Sequence, residues 1–455
     1  MRKFLFVLLS CFLMAANAIA HPIPDTGQTT CYDDVGNVIT CPSPGQPFYG
    51  QDANYNINPM SFTKLGYNGV ELPEDAPHVD DGGPWIMTRD NLTRLIWEVK
   101  IITPGLKNSR NRYSWYDPDP ATNGGNAGIQ DGGSCYDSLC DTHAYIQALN
   151  AQKFGGFSDW RLPTIKELAY LVDYSIPLPG PTLNVRYFPN MEGSYWSSNT
   201  DAKHAFSAWY LSFRSGMDHK MTKDWWARVI AVRGKQADNN FIDNSDGTIT
   251  DISTGLMWQK SPVQNWEAAM NWEQALAYCE ALTLGGYSDW RLPTIKELRS
   301  IVDYSLHDPA INNIYFPNTD SGYLSSTTYA DYKSSFWGMG FRWGEDYVNG
   351  KSSTTYILPV RVLFGNLQVL IEPQQVLYAG AQWRRTGTKT WHNSGYTETK
   401  VPVGTYTIEF KVVPGWRPEG TITVIVEADK TVTGKVSYFE QVTGFPGVIM
   451  LLLDE

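Results

Sequence analysis

Residues 155–168 read GGFSDWRLPTIKEL and residues 285–298 read GGYSDWRLPTIKEL, differing only at Phe157 against Tyr287. The match continues on both sides in unbroken order. DNLTRLIW at 90–97 answers DISTGLMW at 251–258, LVDYS at 171–175 answers IVDYS at 301–305, and YFPN recurs at 187–190 and 315–318. Tyr195, Ser197 and Ser198 pair with Tyr323, Ser325 and Ser326, and Val232-Arg233 with Val360-Arg361. A repeat that keeps its order over this length is a duplicated domain, not a short recurring motif. Copy one is placed at 83–234 and copy two at 241–364, each expected to fill a core of its own around Trp160 and Trp290.

The copies differ in length. Trp97 to Trp160 is about thirty residues longer than Trp258 to Trp290, and the surplus is Gly-, Asn- and Asp-rich. It reads as a surface loop stapled near its base by Cys135 and Cys140. Local structure is clearest in copy two. Asn271 is placed to cap a helix over 272–282, with Leu276, Cys279 and Leu282 on one face and Gly285-Gly286 as its stop. Thr294 and Glu297 have capping-box spacing, as do Thr164 and Glu167: the hydroxyl takes one free amide of the first turn and the carboxylate reaches back to another. Short strands follow, so each copy is read as two helices and then several strands, an α+β unit. Residues 21–82 read as irregular. Residues 366–455 alternate without helical period and are broken by Gly and Pro, which predicts a small antiparallel β-sandwich.

Residues 1–20 have the build of a secretory signal: Arg2 and Lys3, an apolar run over 4–13, then Ala18-Ile19-Ala20 before a cleavage at His21. A lipoprotein signal with Cys11 as acceptor is the competing reading, and it fits less well because the apolar run continues past Cys11. No later stretch has the roughly 20 apolar residues of a membrane helix. Export permits disulfides, and Cys31–Cys41 and Cys135–Cys140 are the near pairs. Cys279 is left as a buried thiol. The seven His are scattered, so no metal site is expected. NSDGTITD at 244–251 resembles part of a calcium loop, but Ile242 stands at the first ligand position and the late Glu is missing, which favours a hairpin.

The string DWRLPTIKEL, preceded by TDxxTGLMW in copy two and followed by YFP and a Tyr-x-Ser-Ser turn in both, resembles the Lcl C-terminal domain family of bacterial surface proteins. That resemblance implies two tandem C-type-lectin-like domains and, in some members, adhesion through sulfated host glycans. RLPT also resembles part of the formylglycine-generating enzymes. Their reactive cysteines have no counterpart here, so that activity is not implied. GAQWRRTG, PVGTYTIEF and PGWRPEG resemble β-sandwich modules appended to bacterial surface proteins.

The net charge of −11 argues against bulk attraction to nucleic acid. Copy one carries 16 basic against 14 acidic side chains and copy two 8 against 14. The basic residues of copy one gather late and alternate with aromatics: Trp209, Arg214, His219, Lys220, Lys223, Trp225, Trp226 and Arg228. Cations beside flat rings suit sulfated or carboxylated sugars, so Trp209, Arg214, Lys220, Lys223, Trp225, Trp226 and Arg228 form the candidate glycan site. Asp159, Trp160, Arg161, Asp289, Trp290 and Arg291 are read as structural, each Trp as core and each Arg held by a carboxylate. No GxSxG, phosphate loop or HExxH occurs, so no catalytic residue and no cofactor are assigned. The expectation is an exported, non-enzymatic protein that binds extracellular polysaccharide or sulfated glycan at the cell surface. A spacer or self-associating subunit of a surface assembly is the alternative, ahead of a carbohydrate-active or sulfatase-modifying enzyme.

Overall fold

The computed structural model describes residues 21–235, 238–261, 269–319 and 321–441. The signal segment 1–20 and the end of the last domain, 442–455, lie outside the described residues. The chain is rich in short strands, with few helices. A hairpin of β1 (Cys31–Tyr32) and β2 (Val38–Ile39) is closed by the Cys31–Cys41 disulfide. Copy one follows as β3 (Phe62–Leu65), β4 (Met87–Asp90), β5 (Ile96–Glu98), α1 (Thr142–Ala151), α2 (Ile165–Tyr170), β6 (Ser194–Thr200), β7 (Ser207–Ser212), β8 (Asp218–Thr222) and β9 (Val232–Arg233). Its strands form two antiparallel sheets, ordered β3-β4-β5-β9 and β6-β7-β8. The edge strand β3 lies inside the stretch 21–82 that its sequence made look irregular.

Copy two repeats this: β10 (Phe241–Asp243), β11 (Thr248–Asp251), β12 (Leu256–Gln259), α3 (Trp272–Ala281), α4 (Ile295–Ser300), β13 (Gly322–Thr328), β14 (Ser335–Gly340), β15 (Glu345–Gly350) and β16 (Val360–Val362), with sheets β10-β11-β12-β16 and β13-β14-β15. Residues 244–251 form the hairpin between β10 and β11. The conserved string does the same local work in both copies. Thr164 and Thr294 close capping boxes with Glu167 and Glu297. Glu167 also takes both nitrogens of Arg161 at 2.8 and 2.7 Å, and Glu297 those of Arg291 at 2.7 and 2.5 Å. Asp159 holds Arg233 and Asp289 holds Arg361, which ties the string to the closing strand. Trp160 and Trp290 are buried, their indole N–H groups on Phe154 O and Leu284 O.

The surplus of copy one enters between Trp115 and Thr142. Trp115 and Trp272 are spatial equivalents: the main-chain N–H groups donate to Lys223 O and Lys351 O, and the indoles to Ser197 O and Ser325 O. Above each ring lies a lysine ammonium, Lys223 at 4.0 Å and Lys351 at 3.8 Å. The Cys135–Cys140 disulfide closes only a short turn near the end of the inserted loop, and does not staple its base as the sequence suggested.

Each copy keeps a core of its own, around Trp115, Trp160 and Trp196 in one and around Trp272, Leu292 and Phe336 in the other, but a larger core is shared. One apolar cluster runs through both, from Trp97, Ile165, Leu168 and Trp209 to Trp258, Ile295, Leu298 and Trp337. The contacts across it come in exchanged pairs, as a local twofold axis requires. Tyr304 meets Trp209 edge-on at 4.9 Å and Tyr174 meets Trp337 edge-on at 5.1 Å. Lys166 Nζ donates to Ser300 O at 2.7 Å and Lys296 Nζ to Tyr170 O at 2.9 Å. The Asp218 and Asp346 amides each donate to the other's carboxylate at 3.2 Å. The symmetry breaks at Arg299, whose counterpart is Ala169. Arg299 lies fully buried on the axis, bonded to Asp218, Asp346 and the Tyr174 hydroxyl.

The last domain packs two sheets, β19-β17-β23-β21 and β18-β20-β22, around Leu367, Val369, Trp383, Ile408 and Val426. Its strands are β17 (Phe364–Glu372), β18 (Trp383–Arg385), β19 (Thr397–Pro402), β20 (Gly404–Phe410), β21 (Trp416–Pro418), β22 (Ile422–Val426) and β23 (Thr431–Glu440). It is not purely antiparallel, because β17 and β23 run parallel over seven paired positions. A short helix, α5 (Gln374–Tyr378), follows β17.

Candidate binding site

The seven residues proposed from sequence do not form one face. Trp209 alternates inward on β7 and is core against Tyr304. Lys220 lies over the Trp209 ring at 4.5 Å, with Glu345 at 2.9 Å and Asp201 at 3.7 Å. Lys223 is buried, giving its protons to Asn123 O and Asn126 O of the inserted loop, and burial pushes its pKa down to about 8. Arg228 is bonded to Ser109 O and Glu192. These three cations are already engaged within the protein. Arg214 is exposed on the turn before β8, and Trp225 and Trp226 follow β8 at its other end. The two tryptophans are 53 and 52 % exposed, and so is Phe206, whose carbonyl takes the Lys223 amide.

Copy two is different here because something covers it. Ser334, Ser353 and Thr354 stand where copy one has Phe206, Trp225 and Trp226. The loop between β1 and β2 lies on this place. Gly36 sits so close that a Cβ on it would fall 2.8 Å from Ser334 N, and Asp33 O receives Lys351 Nζ at 3.0 Å. The Lys351 ammonium loses its water to this cover, and burial pushes its pKa down to about 7.

The same asymmetry recurs beside α2. A cavity of about 950 Å³ opens there, with Arg161, Lys166, Asn199, His143, Tyr304 and Ser305 among its walls. The Asn199 side chain accepts the first amide of α2 at 2.9 Å. In copy two Thr327 does this for α4, and Asp52 in turn accepts from Thr327 and Thr26. Asp25, Thr26 and Gln28 fill the space. Tyr55 sits under the Arg291 guanidinium at 5.2 Å. The Arg161 side chain therefore stays 35 % exposed while that of Arg291 is 5 % exposed. Sequence reasoning passed over Lys166 and Tyr304, because identical IKEL and VDYS strings gave no reason to treat the copies differently. The available signal was the unequal chain before each copy, residues 21–61 ahead of β3 against 234–240 ahead of β10.

Among the described residues no group of three or more His, Cys, Asp or Glu is placed to hold a metal ion. Cys279 is buried, and burial pushes its thiol pKa up, away from a reactive thiolate. No helix among the described residues is long and apolar enough to cross a membrane.

No curated protein matches the chain. The family model described as the Lcl C-terminal domain matches residues 86–233 and again 247–361, more than half of the chain and both halves of the pseudo-symmetric pair. The chain belongs to the Lcl C-terminal domain family and carries the domain twice.

Proposed function

We propose that this protein is an exported binding protein of the cell surface or extracellular space. In this reading its two domains are C-type-lectin-like, it does no catalysis, and copy one carries the contact with an extracellular glycan. The observation behind this is the exposed Phe206, Trp225 and Trp226 group at the place where copy two is polar and covered. An indole left in water forgoes about 1.5–3 kcal/mol of burial, and its face is a stacking platform for the C–H side of a sugar ring. Copy two, covered by its own chain, serves as the support. The pseudo-dimer interface is already filled within one chain, which speaks against its use for assembly with other molecules.

The test is retention of the full chain on immobilised neutral and sulfated glycans at low ionic strength, with W225A/W226A alongside. Retention that falls with the double variant supports the reading, and weakening by salt marks the ligand as anionic. No retention on any glycan, or retention untouched by the double variant, overturns it.

A further inference from the structure

The covered cleft of copy two shows what the open cavity of copy one is built to hold. In copy two, residues 25–28 thread the cleft with a bend at Gly27, whose φ is +88°, and their main chain is gripped at the Asp25 and Thr26 carbonyls. Lys296 Nζ donates to Asp25 O at 2.8 Å, and the Tyr174 amide donates to Thr26 O at 2.8 Å. The Gln28 side chain then bonds the Thr328 amide at 3.0 Å and Tyr174 O at 3.2 Å. The segment is thus captured through two backbone carbonyls and one side-chain amide.

The twofold places the same receiving groups in copy one. Lys166 corresponds to Lys296 and Tyr304 to Tyr174. Lys166 gives two bonds, to Ser300 O and to Asn239 Oδ1 at 3.0 Å. Lys296 makes the equivalent contacts, to Tyr170 O and to Met60, and has the Asp25 carbonyl besides. Among the described residues the third proton of the Lys166 ammonium has no such acceptor. The Tyr304 amide, on the cavity wall, bonds no acceptor among the described residues. Two main-chain-reading donors thus stand at the spacing that holds consecutive carbonyls next door.

We propose that the cavity beside α2 binds a bent polypeptide segment from another molecule, receiving successive carbonyls on Lys166 Nζ and the Tyr304 N–H. Grip through backbone makes the cleft tolerant of sequence, with a preference for a side-chain amide three residues after the first carbonyl, as Gln28 supplies in copy two. The site is separate from the tryptophan face and takes a different ligand class.

The probe is a fluorescently labelled peptide with the sequence of residues 21–30, HPIPDTGQTT, titrated by anisotropy against the full chain. Saturable binding is expected. Ser305→Trp, at an exposed wall position away from the core, should weaken it at least tenfold by filling the cavity. Lys166→Met should weaken it several-fold, and W225A/W226A should leave it unchanged. Absence of binding at millimolar peptide overturns the proposal. So does binding unaffected by Ser305→Trp, and so does binding lost only with Lys296→Met, which would mean exchange into the covered cleft. Glycan retention does not depend on Ser305, so failure here and failure of the glycan reading are told apart.

Discussion

Replacing Arg299 by Leu removes the one cation between Asp218 and Asp346. All three side chains are withdrawn from water, and the carboxylates are held together by each other's amides as well as by the guanidinium. Burial already pushes both carboxyl pKa values above the ordinary range, with the neighbouring carboxylate adding to it at Asp346. Without the cation, two like charges face each other in the core. Breaking a buried ion pair from one side costs about 3–5 kcal/mol. With a urea slope near 3 kcal/mol/M, that lowers the unfolding midpoint by about 1–1.7 M. The cost depends on pH with a definite sign. A carboxyl whose pKa is higher folded than unfolded binds more protons in the folded state, so stability falls as pH rises from about 4 through the raised value. The deficit of Arg299→Leu should therefore be smaller at pH 4.5 than at pH 8, and Asp346→Asn added to it should restore more than half of the loss at pH 8. Urea midpoints for the three proteins at both pH values decide this. A deficit below about 1 kcal/mol, or one equal at both pH values, would refute the view that Arg299 neutralises the axis.

Three further outcomes are expected. Trp115→Ala and Trp272→Ala, which empty equivalent pockets, should each cost about 3–5 kcal/mol in denaturant unfolding. Lys351 loses its proton more readily folded than unfolded, so stability should rise from pH 7 to 9 with at most about 1.4 kcal/mol per pH unit from this group, and Lys351→Met should remove that part of the slope. Changing Cys31 and Cys41 to Ser opens a loop of ten-residue separation, which should cost about 2–3 kcal/mol and show as faster proteolysis within 33–37.

What could be read from the sequence was whatever depends on neighbours in the chain. The capping boxes and the two disulfide pairs are local, and residue type at fixed spacing decides them, whereas α3 ends at Ala281 with Leu282 extended, before the Gly285-Gly286 expected to stop it. That a carboxylate holds Arg161 was expected from sequence, and the structure shows that the capping residue Glu167 is that carboxylate. The basic-aromatic run was misleading because proximity along β7 and β8 is not proximity on a face. Alternation sends Trp209 inward, and Lys223 is spent on carbonyls of a loop about a hundred residues away. The joint core was hidden in an oddity that was present: Lys166 and Lys296 interrupt otherwise apolar helix faces, Ile165, Leu168 and Ala169 in one and Ile295 and Leu298 in the other. A lysine there needs acceptors from outside its own helix, and the sister copy supplies one carbonyl to each, Ser300 O and Tyr170 O.

Duplication within one chain also explains why the faces can differ. In a dimer of identical chains, any segment that covers one cleft has a twin that covers the other, and any cation near the axis arrives twice. Here there is one Arg299 against Ala169, so the two axial carboxylates meet a single positive charge and no pair of guanidinium groups competes for it. There is one stretch 21–61 for two clefts, and its disulfide-closed hairpin and its segment 25–28 both lie on copy two. The inserted loop 116–141 meets only part of the same need in copy one, capping Lys223 as Asp33 caps Lys351 while leaving the place of Asp25 to Gln28 open. Covering both sides equally would have needed a second such segment in the linker 234–240, which is too short to supply it. The open cavity and the exposed tryptophans are thus two consequences of one fact of chain order.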